Sequence, residues 1–178
     1  YCSKVMKYLI KHKHWSSCEM VKISVQIDTI RRIASIILRH RSFRFQEFSK
    51  RYAQFVNTPS LPNFRRQDTS NRQNSSDDLN EFTQQEFQIR TQDLFDQSLA
   101  LYNEMLSAGV AKECARDVLP LSTPTKLYMN GTLRSWLHYT ALRCANGTQL
   151  EHQLIATGVN GLLRTHFPLV AEAMWPLK

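Results

Sequence analysis

VKISVQIDTIRRIASIIL, residues 21–38, changes period half-way. Val21, Ile23, Val25 and Ile27 alternate with Lys22, Ser24, Gln26 and Asp28. A period of two is that of a β-strand with one buried face. From Ile30 onward the apolar residues recur at Ile33, Ala34 and Ile37, the spacing of one helical face. Asp28 or Thr29 is placed to cap that helix. One clear strand running into a helix, in a chain with few other alternating runs, points to an α+β fold.

The flanking segments extend the pattern. Residues 3–12, SKVMKYLIKH, set Val5, Leu9 and Met6 or Ile10 on one helical face, and HWSSCE (14–19) breaks it. Residues 57–80 are polar and hold Arg65, Arg66 and Arg72. So long a loop either folds over an anionic ligand or is a mobile surface segment. A long helix is expected from Asn80 to Ser107, with Phe87, Leu94, Leu101 and Met105 on one stripe and Gly109 past its end. AKECARDVL (111–119) reads as a short helix stopped by Pro120, and TKLYMN (125–130) as a second strand. Thr132 to Cys144 is helical, with Leu133, Trp136, Leu137 and Thr140 inward and Arg134 and His138 one turn apart off that stripe. GTQLEHQLIATGVNGLLRTHF (147–167) is a further helix, ended before Pro168.

The chain of 178 residues, 42% hydrophobic, reads as one domain over 1–178. It opens at Tyr1 inside a helical pattern, so residues are expected to precede it. A net charge of +8 favours anionic partners, polymeric or small. Cys2, Cys18, Cys114 and Cys144 form no CxxC, which fits reduced thiols in the cytoplasm. No run approaches a membrane span of ~20 apolar residues. GxGxxG, P-loop, GxSxG and HExxH are all absent. The histidines form no metal pattern, and no metal site is expected.

RHRSFRFQEFSKRY, residues 39–52, packs five Arg and Lys and four aromatics around a single carboxylate, Glu47. A nucleic-acid patch, a solvated basic face and a small-anion pocket all fit such a run. The mixture of cations, hydroxyls and one acceptor suits a nucleotide. Arg39-His40-Arg41, seven residues, then Ser49, resembles the RHR-x7-S signature of the flavin-dependent thymidylate synthases, the ThyX family. HWSSCE resembles that family's His-x-Ser/Thr-x-x-Glu turn. RRQDTSNRQNS (65–75), CARDVLP (114–120) and LRSWLHYTALRCANGTQLE (133–151) extend the resemblance from about residue 4 to 172. Large-virus and phage members look most alike.

The resemblance implies a curved antiparallel sheet flanked by helices, in a homotetramer whose active sites are shared between subunits. It implies conversion of dUMP to dTMP, with methylenetetrahydrofolate as carbon donor, NADPH as reductant and FAD delivering hydride. By motif, Arg39 and Arg143 face the uracil ring. Arg51 and Arg116 hold the phosphate, with Ser49 beside them and Lys50 in the same set. Glu47 accepts from the deoxyribose. The catalytic set implied is Arg39, Arg143 and Ser49. No base stands at a recognisable spacing to activate Ser49 as a nucleophile, so its part is binding. His14, Ser16, Glu19, Arg39, His40, Arg41, Gln46, Glu47, Arg134, His138 and Leu142 match positions at FAD, His14 where folate or NADPH enters. Three positions depart from the pattern: Ile36 replaces a usual Gln, Lys50 a frequent Gly, and Gly147 a His found in some members. Three rivals remain: a flavin-dependent hydroxymethylase of the same nucleotide, a basic nucleic-acid-binding module, and a structural subunit with no ligand.

Overall fold

The strand read from Val21 to Asp28 runs on to Ile30, and the next helix starts at Arg31. The computed structural model describes residues 2–49 and 59–175. In chain order the elements are α1 (Cys2–Lys11), α2 (Ser16–Glu19), β1 (Lys22–Ile30), α3 (Arg31–Ile37), β2 (Arg44–Glu47), β3 (Arg66–Gln67) and β4 (Ser75–Ser76). They continue with α4 (Glu81–Ser107), α5 (Lys112–Ala115), β5 (Pro124–Thr132), α6 (Leu133–Arg143), α7 (Leu150–His166) and α8 (Pro168–Met174). The fold is α+β, with an antiparallel sheet and many helices.

Neither Asp28 nor Thr29 caps α3. Both lie inside β1, and Ile30 holds the N-cap position without a side-chain bond. The Arg31 and Arg32 N–H groups instead donate to the carbonyls of Thr123 and Leu121, each at 3.0 Å. Main-chain acceptors brought from afar satisfy donors that otherwise need a capping side chain.

β1, β5 and β2 form a three-stranded sheet in that order. Lys126 pairs with Asp28, Tyr128 with Gln26 and Asn130 with Ser24. One number rises as the other falls, so β1 and β5 are antiparallel, and these pairs share the polar face. Ile27, Leu127 and Met129 are buried on the other.

Packing divides the chain into two units: residues 1–27, 40–45 and 128–178, and residues 28–39 and 46–127. In the first, α6 buries Leu133, Trp136, Leu137, Tyr139 and Thr140, the expected four and one more. Thr132 caps it, its Oγ1 accepting from the Ser135 N–H at 3.1 Å. Trp136 Nε1 donates to the Ile23 carbonyl at 3.1 Å. α7 packs on α6 and buries His152, Ala156, Val159 and Leu163. It begins at Leu150 rather than Gly147, whose φ of +88° is left-handed. Pro168 does not merely end α7; it opens α8, where its missing N–H costs nothing. α8 packs on α7 and α1, and Lys7 of α1 pairs with Glu172 at 2.6 Å.

In the second unit, Asn80 caps α4, its Oδ1 accepting from the Phe82 N–H at 2.9 Å. The buried stripe of α4 is not Phe87, Leu94 and Leu101, which are exposed. Phe95 and Tyr102 are buried instead, and Leu99, Met105 and Leu106 pack with Tyr102 around Ala115 and Leu119. The two stripes lie one residue, about 100°, apart on the helix, and spacing alone does not say which faces the core. Within the polar loop, β3 and β4 form an antiparallel hairpin pairing Arg66 with Ser76 and Gln67 with Ser75. Asp68 organises its turn, and Arg66 pairs with Asp78. Among the described residues, no helix is long and apolar enough to cross a membrane.

Candidate active site

The first unit contains a cavity of about 620 Å³. Glu19 reaches it from α2, and Arg134 and His138 from one face of α6, with Leu137, Ala141 and Met174 supplying apolar wall. Arg134 Nη1 donates to Glu19 Oε1 at 2.7 Å. This contact, with a further one from Thr132, holds the Glu19 carboxyl below its ordinary value. A guanidinium, a carboxylate and an imidazole around apolar wall suit a large ligand with a flat apolar part and a charged part.

Outside that cavity's lining, Arg143 Nε donates to His40 Nε2 at 3.1 Å. Burial, then the charges of Arg143 and His138, lower the His40 pKa. The Tyr139 and His152 rings stand edge-on to His40, and Tyr139 OH and His152 Nε2 lie 3.0 Å apart. Burial raises the Tyr139 hydroxyl and lowers His152 to about 4.

The second unit holds a smaller cavity of about 240 Å³, lined by Arg31, Glu47, Phe48, Ser49, Arg116 and Thr125. Strand β2 brings Glu47 there, where its Oε1 accepts from Thr125 Oγ1 at 3.0 Å. The Phe48 N–H donates to the Lys126 carbonyl at 2.8 Å, which fixes the chain just before Ser49. Arg116 is steadied by donation from its Nε to the Glu113 carbonyl at 3.1 Å. Two guanidiniums, two hydroxyls and one carboxylate in so small a space match the groups of a sugar phosphate.

Thus Glu19, Arg134 and His138 share one cavity, Glu47, Ser49 and Arg116 another, and His40 meets Arg143. His14 and Ser16 are exposed and outside the first cavity's lining; His14 lies edge-on to Tyr8. Arg41 is exposed in the turn before β2, and Leu142 is exposed on α6 beside Arg143. Arg39, just past α3, and Gln46, in β2, belong to the second unit and are exposed outside its cavity's lining. Lys50 and Arg51 lie outside the described residues. Sequence reasoning missed Arg31, Thr125, Tyr139 and His152. Arg31 was hidden in a helix start. His152 was legible as the first of four residues on the apolar face of α7.

Residues 2–169 match the family described as thymidylate synthase complementing protein. The chain belongs to that family. It is 48% identical over 172 residues to a probable flavin-dependent thymidylate synthase of Paramecium bursaria Chlorella virus 1, covering 97% of this chain and 80% of the relative. A flavin-dependent thymidylate synthase of Synechocystis is 47% identical with the same coverage. In fold it is similar to the UMP/dUMP methylase PolB from Streptomyces cacaoi, solved with 5-Br dUMP. That likeness has a TM-score of 0.85 at 22% identity and covers 96% of this chain and 77% of PolB. The likeness to the virus member agrees with the resemblance drawn from the RHR-x7-S stretch.

Proposed function

We propose that this chain is a flavin-dependent thymidylate synthase that converts dUMP to dTMP, with methylenetetrahydrofolate as carbon donor and NADPH as reductant. The observation that carries the reading is the small cavity: the stretch bearing the family signature delivers Glu47 and Ser49 to the same space as Arg116.

In this reading Arg116 and Ser49 hold the dUMP phosphate, assisted by Arg51 and Lys50, and Glu47 accepts from the deoxyribose. Thr125 donates to the Glu47 carboxylate and holds it at the cavity. Arg39 and Arg143 stabilise charge developing on the uracil oxygens, where a fixed cation in a dry site acts most strongly. The residues of the larger cavity fit FAD by their chemistry. Arg134 offers charge to a pyrophosphate, Glu19 and His138 offer polar contacts, and Leu137, Ala141 and Met174 offer a wall for a flat ring. His14, Ser16, His40, Arg41, Gln46 and Leu142 complete that set by motif. Bound FAD supplies the hydride that completes the methyl group.

The reading treats 1–178 as one synthase domain working in a homotetramer with shared active sites. The exposed stripe Phe87, Leu94 and Leu101 supports association. The cytoplasm is the proposed compartment, supported by four free cysteines. The test is to purify the protein, record its flavin absorbance, and supply dUMP, methylenetetrahydrofolate and NADPH. Yellow protein and a product with the mass of dTMP are expected. A hydroxymethylated product overturns the methylation, and a colourless protein that titrates no flavin overturns the flavoenzyme.

A further inference from the structure

Arginine remains protonated at every working pH, so its guanidinium only donates. Yet Arg143 Nε points at His40 Nε2, at 3.1 Å. An imidazolium has no lone pair to offer and carries a like charge. The contact therefore requires a neutral His40 whose proton sits on Nδ1.

The surroundings of His40 enforce that state. The Tyr139 ring stands at 80° to it with centroids 5.1 Å apart, the His152 ring at 77° and 5.9 Å, and the Phe43 ring at 89° and 6.4 Å. Phe43, Tyr139 and His152 are themselves buried. The hydrogen bond between Tyr139 and His152 ties α6 to α7 and locks this box. A ring with three dry neighbours is poorly solvated when charged. Arg143 and His138 from α6 act on it by charge, the Tyr139 ring from α6 and the His152 ring from α7 stand against it, and Arg41 lies on its own segment. Both of the side chains whose charge acts on the ring, Arg143 and His138, disfavour an imidazolium.

We infer that His40 is a positioning residue: its neutral, Nδ1-protonated ring holds the Arg143 guanidinium, and its protonation in acid releases it. Tyr139 and His152 serve as the buried frame that keeps the ring in place. The consequence for catalysis rests on the proposed role of Arg143 at the uracil ring. The acceptor role of His40 does not.

Two measurements test this. The first uses ligand-free protein labelled with 15N in its histidines, His40 being assigned by its loss in His40→Gln. Long-range proton–nitrogen correlations at pH 7.5 are expected to show the Nδ1–H tautomer. Its titration midpoint should lie below the usual ~6.5 and rise in Arg143→Met. An Nε2–H tautomer, or a midpoint that ignores Arg143→Met, overturns the inference. The second is dUMP affinity against pH. The phosphate of dUMP titrates near ~6 in every variant, so the reading is the difference between proteins. Glutamine offers an acceptor that does not titrate. His40→Gln should therefore lose the additional acid weakening of the wild type, and His40→Leu should bind dUMP about fivefold more weakly than His40→Gln at pH 8. Identical pH curves in wild type and His40→Gln overturn the release of Arg143. Failure of the wild type to bind dUMP at any pH overturns the synthase reading, and the tautomer measurement still decides the role of His40.

Discussion

Arg116 and Gly131 show how much rests on single positions. Arg116 enters the small cavity from the turn after α5, its reach set by the Glu113 carbonyl. Its truncation removes a charge-assisted contact, worth about 1.5–3 kcal/mol. Calorimetry on Arg116→Ala should show dUMP binding weakened on that scale with FAD binding nearly unchanged. Equal losses for both ligands would mean that the cavity serves a different ligand. Gly131 is needed for its lack of a side chain. A Cβ there would lie 2.5 Å from the Phe43 ring, which is itself packed on Trp136 at 4.7 Å. Gly131→Ala should cost about 1–3 kcal/mol in denaturant unfolding, the usual range for overpacking a core. Gly131→Ala with Phe43→Leu should recover part of that loss. Legibility at this scale was uneven. The RHR-x7-S spacing singled out Glu47 and Ser49, because a signature is a local property of the chain. Arg31 and Thr125 carry no local signature and become neighbours of Glu47 only through folding.

Among the elements, α6 was readable almost residue by residue. It is buried on the stripe its spacing marks, and its capping Thr132 lies next to it in sequence. α4 was readable in extent but not in orientation, since Leu94/Leu101 and Phe95/Tyr102 repeat at the same interval. Only the partners Ala115 and Leu119 choose between them. The polar loop hid its order in a single carboxylate. Asp68 Oδ1 accepts from the N–H groups of Ser70 and Asn71 at 2.8 and 3.0 Å, and its Oδ2 from Asn74 Nδ2 at 2.9 Å. These donors favour the charged form and hold its pKa well below the usual carboxylate range. A depressed folded pKa means that the contribution to loop order is full above the unfolded value of ~3.9 and is lost as pH falls through the folded one. NMR titration of the Ser70 and Asn71 amides should therefore stay flat through the range where ordinary carboxylates titrate. A midpoint near 4 would show that the turn is not formed in solution. Asp68→Ala should release both amides at neutral pH.

For the whole molecule, the exposed apolar residues of α4 and the proposed tetramer meet in one prediction. Phe87, Leu94 and Leu101 recur every seven residues on one side of a 27-residue helix, and Leu94 is 61% exposed. Leu94→Lys should shift the sedimentation of the protein toward smaller species while leaving its helical content unchanged. An unaltered tetramer would remove this stripe from the interface. Sequence by itself determined the alternation of β1, the stripe of α6, the reach of α4 between Asn80 and Gly109, and the family signature. Each is a matter of period, capping or local spacing. Tertiary structure decided which side of α4 is buried, and that α3 is capped by the carbonyls of Leu121 and Thr123 rather than by Asp28 or Thr29. It also decided that Arg143 donates to His40, 103 positions earlier in the chain. The physical reason is common to all three: a local pattern says which groups need burial or a partner, and only the path of the whole chain supplies the partner.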